Sequence, residues 1–394
     1  MTEQTHTGHS LFAPSKAHRW LHCAASLALE EGIPDTSSIH AEEGTYAHAV
    51  AASVLDPMLV PPESDPRFEL DPVAMNSYVD AVRRAHGEQG ILLVEQRIPF
   101  GTVVGVPEDI GEQSGTADAI VYRPDLRELQ VHDLKWGRGV RVEAAHNPQL
   151  LLYAVGAIYQ YDVLGNIETV RVAIHQPRLD HYDEHVLHVN EIEAFIVQTR
   201  QAVQRALQFR ADMQQGIQRL EADWYAPGED TCRWCKAKTT CPALRKLVDE
   251  TVAQAEAVPG ADTDTLAHWM ALAGLVEDFI KAVRAEVEAR LLAGQSIPGW
   301  KLVEGRKGAR KWTDEAAVTA LFKKFRLKVE DMYDMKLISP AGAEKLLGES
   351  RRWSALVSYI RQDDGKPSVA PESDKRPAIN AQATVDDFDD VSGQ

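Results

Sequence analysis

Residues 131–153, VHDLKWGRGVRVEAAHNPQLLLY, decide how this chain reads. Asp133-Leu134-Lys135 closes an apolar, strand-like run that includes Leu129 and Val131. Gln149 and Tyr153 follow, four apart in the helix-like segment NPQLLLYAVGAI, and so share one helix face. Working outward, Asp118 stands in GTADAIVY at 115–122, and His48 in EEGTYAHAV at 42–50. Two carboxylates, an imidazole and an ammonium group gathered at strand ends point to a divalent metal and phosphodiester chemistry.

The flanking segments supply the rest of a fold. Strand signals occur at 91–98 (ILLVEQRI), 116–122, 129–136, 170–176 and 185–189. Arg123-Pro124-Asp125 marks a turn that makes the second and third a hairpin. Helical spacing appears at 15–30, 41–55, 73–86, through Gln149 and Tyr153, and at 190–220. The order helix, three strands, helix, strand predicts an α/β fold with a mixed central sheet flanked by helices.

At 394 residues the chain exceeds one compact domain of ordinary size. We expect a core over 1–250, a helical accessory region over 251–362 and a disordered acidic tail over 363–394. Eight acidic and three basic side chains follow from Asp363, few of their neighbours being large and apolar. Residues 264–294 repeat Leu266, Met270, Ala273, Val276, Ile280, Val283, Val287 and Leu291 at helical spacing, which reads as packing surface. GRKGARKW at 305–312 is a basic stretch suited to a DNA backbone or to solvent, and VDDFDDV at 385–391 places Phe388 among acids.

The net charge of −17 counts against a sequence-blind coat for nucleic acid, whose affinity rests on neutralising phosphates. It leaves room for a nuclease, whose acidic site meets phosphates through a cation. No apolar run reaches the roughly 20 residues of a membrane helix, and the N-terminus lacks signal-peptide character. A cytoplasmic location and no membrane contact are expected, with the four cysteines as thiols or metal ligands. Cys232, Cys235 and Cys241 form a compact set, while Cys23 lies more than 200 residues upstream. That spacing fits zinc or an iron–sulfur cluster.

The motif order resembles the RecB-like branch of the PD-(D/E)XK nucleases, which includes phage exonucleases and CRISPR-associated exonucleases. The resemblance covers residues 10–245. It rests on EGTYAHA, GTADAIV, HDLKWG and QLLLY. It implies His48, Asp118, Asp133 and the Leu134 carbonyl as ligands of Mg²⁺ or Mn²⁺, with Lys135 as the catalytic lysine. Gln149 and Tyr153 would position the metal site and the DNA backbone, with Glu43 in support. WLHC at 20–23 and CRWCKAKTTCP at 232–242 resemble the two halves of the branch's cysteine staple. Cys23, Cys232, Cys235 and Cys241 would then hold a structural [4Fe–4S] cluster, with zinc as the alternative and Trp224 and Trp234 as shields. The implied function is a metal-dependent DNA exonuclease in phage or bacterial recombination, end processing or CRISPR-like adaptation, located in the bacterial host cell. The acidic tail with Phe388 reads separately, as a solubilising end or as a docking segment for a recombinase or a single-strand-binding protein. Two rivals stand beside the nuclease reading: a catalytically silent DNA- or protein-binding module on the same scaffold, and a zinc-stapled adaptor.

Overall fold

The computed structural model describes residues 10–34, 38–161, 167–257, 260, 262–301, 303 and 315–324, with isolated positions 328, 340, 344, 348 and 353. GRKGARKW and the tail from 363 lie outside them. Contacts divide the chain into two units, Met1–Val303 and Glu304–Gln394. The sheet and the helices that pack on it belong to the first.

Two helices precede the sheet. Helix α1 (Ile39–Leu55) starts where Ser38 accepts a hydrogen bond from Ala41 N, and α2 (Pro72–His86) starts where Asp71 caps Val73 N and Ala74 N. Both caps satisfy amides that the first helical turn leaves unpaired. Pro72 fits the start of α2 because its missing N–H is not needed there. Strands β1 (Ile91–Pro99), β2 (Ser114–Arg123) and β3 (Glu128–Leu134) form an antiparallel meander. Helix α3 (Pro148–Tyr161) crosses over to β4 (Thr169–Gln176), which runs parallel to β3. Strand β5 (His181–His188) returns antiparallel, and α4 (Val189–Gln214) leaves it through a capping box between His188 and Glu191. The sheet order is β1-β2-β3-β4-β5. The protein is thus an α/β fold with a five-stranded mixed sheet between helices, as the strand and helix patterning predicts.

Alternation along the strands serves two cores. Leu129 and Val131 of β3 and Val170, Val172 and Ile174 of β4 bury against Leu150, Leu152 and Val155 of α3. Ala119, Val121 and Leu134 face the other way, onto Ala47 and Ala51 of α1 and Met75, Tyr78 and Val79 of α2. Helix α3 is close to the sheet because Gly156 has no side chain. A Cβ there would meet Ile98 Cγ2 and lie 2.7 Å from Pro99 O. Gly156→Ala is expected to destabilise the protein by about 1–3 kcal/mol through overpacking, read as a lowered urea midpoint at unchanged slope.

Two expectations are corrected. Residues 15–30 form no single helix: Ala17–Trp20 and Ser26–Glu30 are separate short turns. The break comes where Ala25 N leaves the helical pattern to bond Trp224 O at 3.1 Å. The apolar stripe of the 264–294 segment, observed as helix α5 (Thr263–Leu292), is packed only in part, with Val276 against Leu244 and Val248. Leu266, Met270, Ile280 and Val283 are exposed, and Leu275, off that stripe, is its buried residue. A periodic apolar pattern sets a helix's faces, not what covers them.

Candidate metal centre

The parallel ladder between β3 and β4 leaves the end of β3 at the centre of the sheet, where Asp133 and Lys135 meet Asp118 of the neighbouring strand. Asp118 is bonded on both oxygens. His48 Nδ1 lies 3.0 Å from its Oδ1, and Leu134 N donates to its Oδ2 at 2.7 Å. Leu134 therefore contributes its N–H to this network, while its side chain is buried under α1 and α2. Burial lowers the His48 pKa, but the charge of Asp118 and its hydrogen bond outweigh that and leave it raised.

Asp133 forms the floor. Its side chain is 4 % exposed, against 30 % for Lys135. Lys135 Nζ donates to Asp133 Oδ1 at 3.2 Å and stands 2.9 Å from Oδ2 without hydrogen-bond geometry, so the buried Oδ2 keeps an unspent lone pair. Burial raises the Asp133 pKa despite the lysine. Burial lowers that of Lys135, yet Asp133 overrides it and holds the group as an ammonium ion. Nζ also donates to Gln149 Oε1 at 2.9 Å, and Gln149 Nε2 reaches Tyr153 OH at 3.4 Å. The i, i+4 pair on α3 thus orients the lysine. Gly115, facing Tyr153, is required for that approach, since a Cβ would lie 2.8 Å from the ring.

Folding adds one acid, Glu95, to the residues that the motifs single out. Donor atoms of His48, Glu95 and Asp118 lie within 4.8 Å of one another, and Asp133 is outside that trio. Glu95 has φ +50° in the middle of β1, and the register skips it between Val94↔Ala119 and Gln96↔Ala117. The register is the same on both sides of the gap, so Glu95 stands directly opposite Asp118, and its left-handed φ marks a local irregularity with no inserted residue. Its signal is the lone carboxylate inside ILLVEQRI. Magnesium takes oxygen ligands at about 2.1 Å, so the three donors would have to draw together around such an ion. Asp133 lies within the field of Asp118 and His48, and its buried Oδ2 is an oxygen without a hydrogen bond. The donor set fits Mg²⁺, and the imidazole suits Mn²⁺.

Glu43 stands apart from the trio. Its carboxylate accepts from Arg178 at 2.8 Å, and Arg178 also reaches Trp136 O at 3.4 Å, so it braces α1 against the loop after β4.

Burial, followed by the charge of Asp118, pushes the Glu95 pKa up to about 7. A carboxyl raised above its unfolded value favours the fold while protonated. That contribution is complete below the ordinary carboxylate range and is lost as pH rises through about 7. With chelator, the melting temperature should therefore fall between pH 5 and pH 8, less so in Glu95→Gln. Added Mn²⁺ should restore more stability at pH 8 than at pH 5. A wild-type profile that matches the variant's would remove Glu95 from the site.

The four cysteines line one cavity of about 20 Å³ beside Tyr225 and Leu244. Folding therefore carries Cys23 to the 232–241 segment. Their sulfurs form no trio within 4.8 Å of the kind seen, among the described residues, at His48, Glu95 and Asp118. Burial raises the pKa of Cys23 and Cys241 and pushes that of Cys235 up to about 12. Trp224 packs with Cys23 and Cys241, but Trp234 is 69 % exposed and shields nothing. Among the described residues no helix is long and apolar enough to cross a membrane. Residues 9–377 match a family described as "Protein of unknown function (DUF2800)".

Proposed function

The chain belongs to the DUF2800 family, and we propose that it is a divalent-metal-dependent deoxyribonuclease, an exonuclease on a PD-(D/E)XK core. One observation carries this reading. Asp118 and Asp133, from adjacent strands, meet His48 of α1 and a lysine held as its ammonium ion, beside a buried carboxylate oxygen with no hydrogen bond. The meander, the crossover helix and the parallel strand β4 support the fold assignment.

A bound Mg²⁺ or Mn²⁺ supplies Lewis acidity and lowers the pKa of water. Glu95, His48, Asp118 and Asp133 would hold it. The chain's own contributions come from the geometry. Lys135 is kept charged by Asp133 and aimed by Gln149, so it acts by stabilising negative charge on phosphorus oxygens and does not serve as a base. Asp118 Oδ2 is locked by Leu134 N, which fixes the carboxylate plane. Arg138 and Arg141, in the exposed loop directly after Lys135, are suited to the phosphate backbone of the DNA. Phage or bacterial recombination and end processing are the fitting contexts, and the acidic tail is suited to a recombinase or single-strand-binding partner.

The cysteines are proposed to hold a [4Fe–4S] cluster. A zinc ion with thiolates at about 2.3 Å would draw its sulfurs to about 4 Å of one another, and a four-iron cube accepts wider spacing. Protein purified without oxygen should be brown, and Cys232→Ser should bleach it; colourless protein carrying stoichiometric zinc overturns the cluster.

The decisive assay incubates the purified chain with end-labelled single- and double-stranded DNA and Mn²⁺, with a chelator control. Shortening of labelled strands that needs the metal is expected. No cleavage of either form with Mn²⁺ or Mg²⁺ sinks the reading.

A further inference from the structure

The segment that joins Lys135 to helix α3 is held by side chains where a strand would be held by backbone. Gln176, at the end of β4 and 3 % exposed, uses both ends of its amide. Val142 N donates to its Oε1 at 2.7 Å, and its Nε2 donates to Val140 O at 3.0 Å. Alternate, half-buried residues of β5 take the next positions. His181 Nε2 donates to Val142 O at 3.0 Å, and Ala144 N donates to Asp183 Oδ2 at 2.6 Å. The rings of His146 and His185 follow, with centroids 5.6 Å apart. The pairs 142–181, 144–183 and 146–185 advance by two residues on both sides, so residues 142–146 run along β5 in a fixed register.

This grip decides which side chains the segment turns outward. Val142 packs on the main core and Ala144 is buried in it, while Arg141, Glu143 and Ala145 alternate with them and are exposed. Arg138 is exposed as well, and neither arginine has a partner among the described residues.

Both ends of the segment are tied to the candidate metal centre. Lys135 precedes it, and at its far end Asn147 Oδ1 accepts from Gln149 N at 3.1 Å, Gln149 being the residue that steers Lys135 Nζ. The chain between Lys135 and Arg141 spans at most about 20 Å, or about six nucleotides of a strand that rises 3.4 Å for each. A guanidinium meets a phosphate through two parallel hydrogen bonds, and a loop ordered before binding loses less freedom on contact.

We propose that residues 138–146 guide the DNA strand into the metal centre, with Arg138 and Arg141 on its phosphates. Gln176 and Asp183 are then positioning residues, which touch no DNA and hold the guide in place. DNA as the ligand rests on the nuclease reading, so the guide is read by binding and the nuclease by cutting.

Fluorescence anisotropy of labelled single- and double-stranded oligonucleotides with the full chain, with Ca²⁺ in place of Mn²⁺, should show binding that weakens with salt. Arg138→Ala and Arg141→Ala should each reduce the slope of log affinity against log salt by about 1. Gln176→Ala releases two backbone groups and should weaken binding by about tenfold, with the slope unchanged because both cations remain. Asp183→Ala should weaken it by about fivefold, even though the change removes a negative charge. Asp183→Asn should restore it, since an amide oxygen can still accept from Ala144 N. Near-ultraviolet circular dichroism shows whether Gln176→Ala folds, and the Asp183 pair decides the matter where it does not. A wild type that binds neither DNA form, arginine variants with the wild-type slope, or Asp183→Asn as weak as Asp183→Ala would each overturn the guide. Normal binding by all these variants of a chain that cuts DNA removes the guide alone, whereas the expected binding by a chain that cuts nothing supports the guide and removes the nuclease.

Discussion

Lys135→Ala is expected to lower the rate of DNA cleavage by about 10²–10³-fold, the usual cost of removing one preorganised charge-stabilising group. The effect is large because the lysine serves two partners. It supplies the cation facing an Asp133 carboxylate that is 4 % exposed, and it is steered by Gln149 at 2.9 Å. Without it, burial and the charge of Asp118 raise the Asp133 pKa further. Mn²⁺ affinity should therefore fall along with the rate, and the remaining activity should shift to higher pH. Lys135→Arg should not rescue, because a planar fork cannot reproduce one Nζ shared between Asp133 and Gln149. Near-ultraviolet circular dichroism of the variant controls for folding. Full cleavage by a folded Lys135→Ala protein would end the role assigned to the lysine.

The largest stability effect belongs to Glu30. Its Oε2 pairs with Arg19 at 2.8 Å, the two side chains being 6 % and 3 % exposed, and its Oε1 accepts from Lys236 N at 2.7 Å. One carboxylate thus joins the N-terminal turns to the cysteine segment. Glu30→Ala strands a buried guanidinium and an amide, which should cost about 3–5 kcal/mol. Urea unfolding should show a correspondingly lower midpoint. The double variant Arg19→Met/Glu30→Leu should recover much of the loss, because an apolar pair of similar volume avoids the buried charge. A loss below about 1 kcal/mol for Glu30→Ala would show that the contact is not buried in solution.

The strands were legible because branched and aromatic residues alternate within them and Arg123-Pro124-Asp125 interrupts them. Asp118, Asp133, Lys135, Gln149 and Tyr153 were legible as an order of motifs, and the structure brings them together with His48. Glu95 was not, because alternation predicts side-chain direction only for a regular strand and the left-handed φ of Glu95 inside β1 leaves no mark in the residue pattern. Gln130 and His132 are the polar residues that alternate with the apolar ones in LQVHDL. They are buried because residues of β4 and of α2, distant in sequence, roof that face. The break inside 15–30 is tertiary in origin: the amide of Ala25 is taken by Trp224, more than 190 residues downstream. Arg178 likewise gains its meaning only from Glu43.

The linear strand order has a consequence for solubility. A sheet with two open margins offers two templates for fibril growth. On β1, the left-handed residue at Glu95 interrupts the run of amides that an incoming strand would need. On β5, Asp183, Glu184, His185 and His188 keep the other margin polar, with outward residues alternating along its length. The left-handed residue that stands opposite Asp118 is thus also the one that breaks the hydrogen-bonding edge of β1.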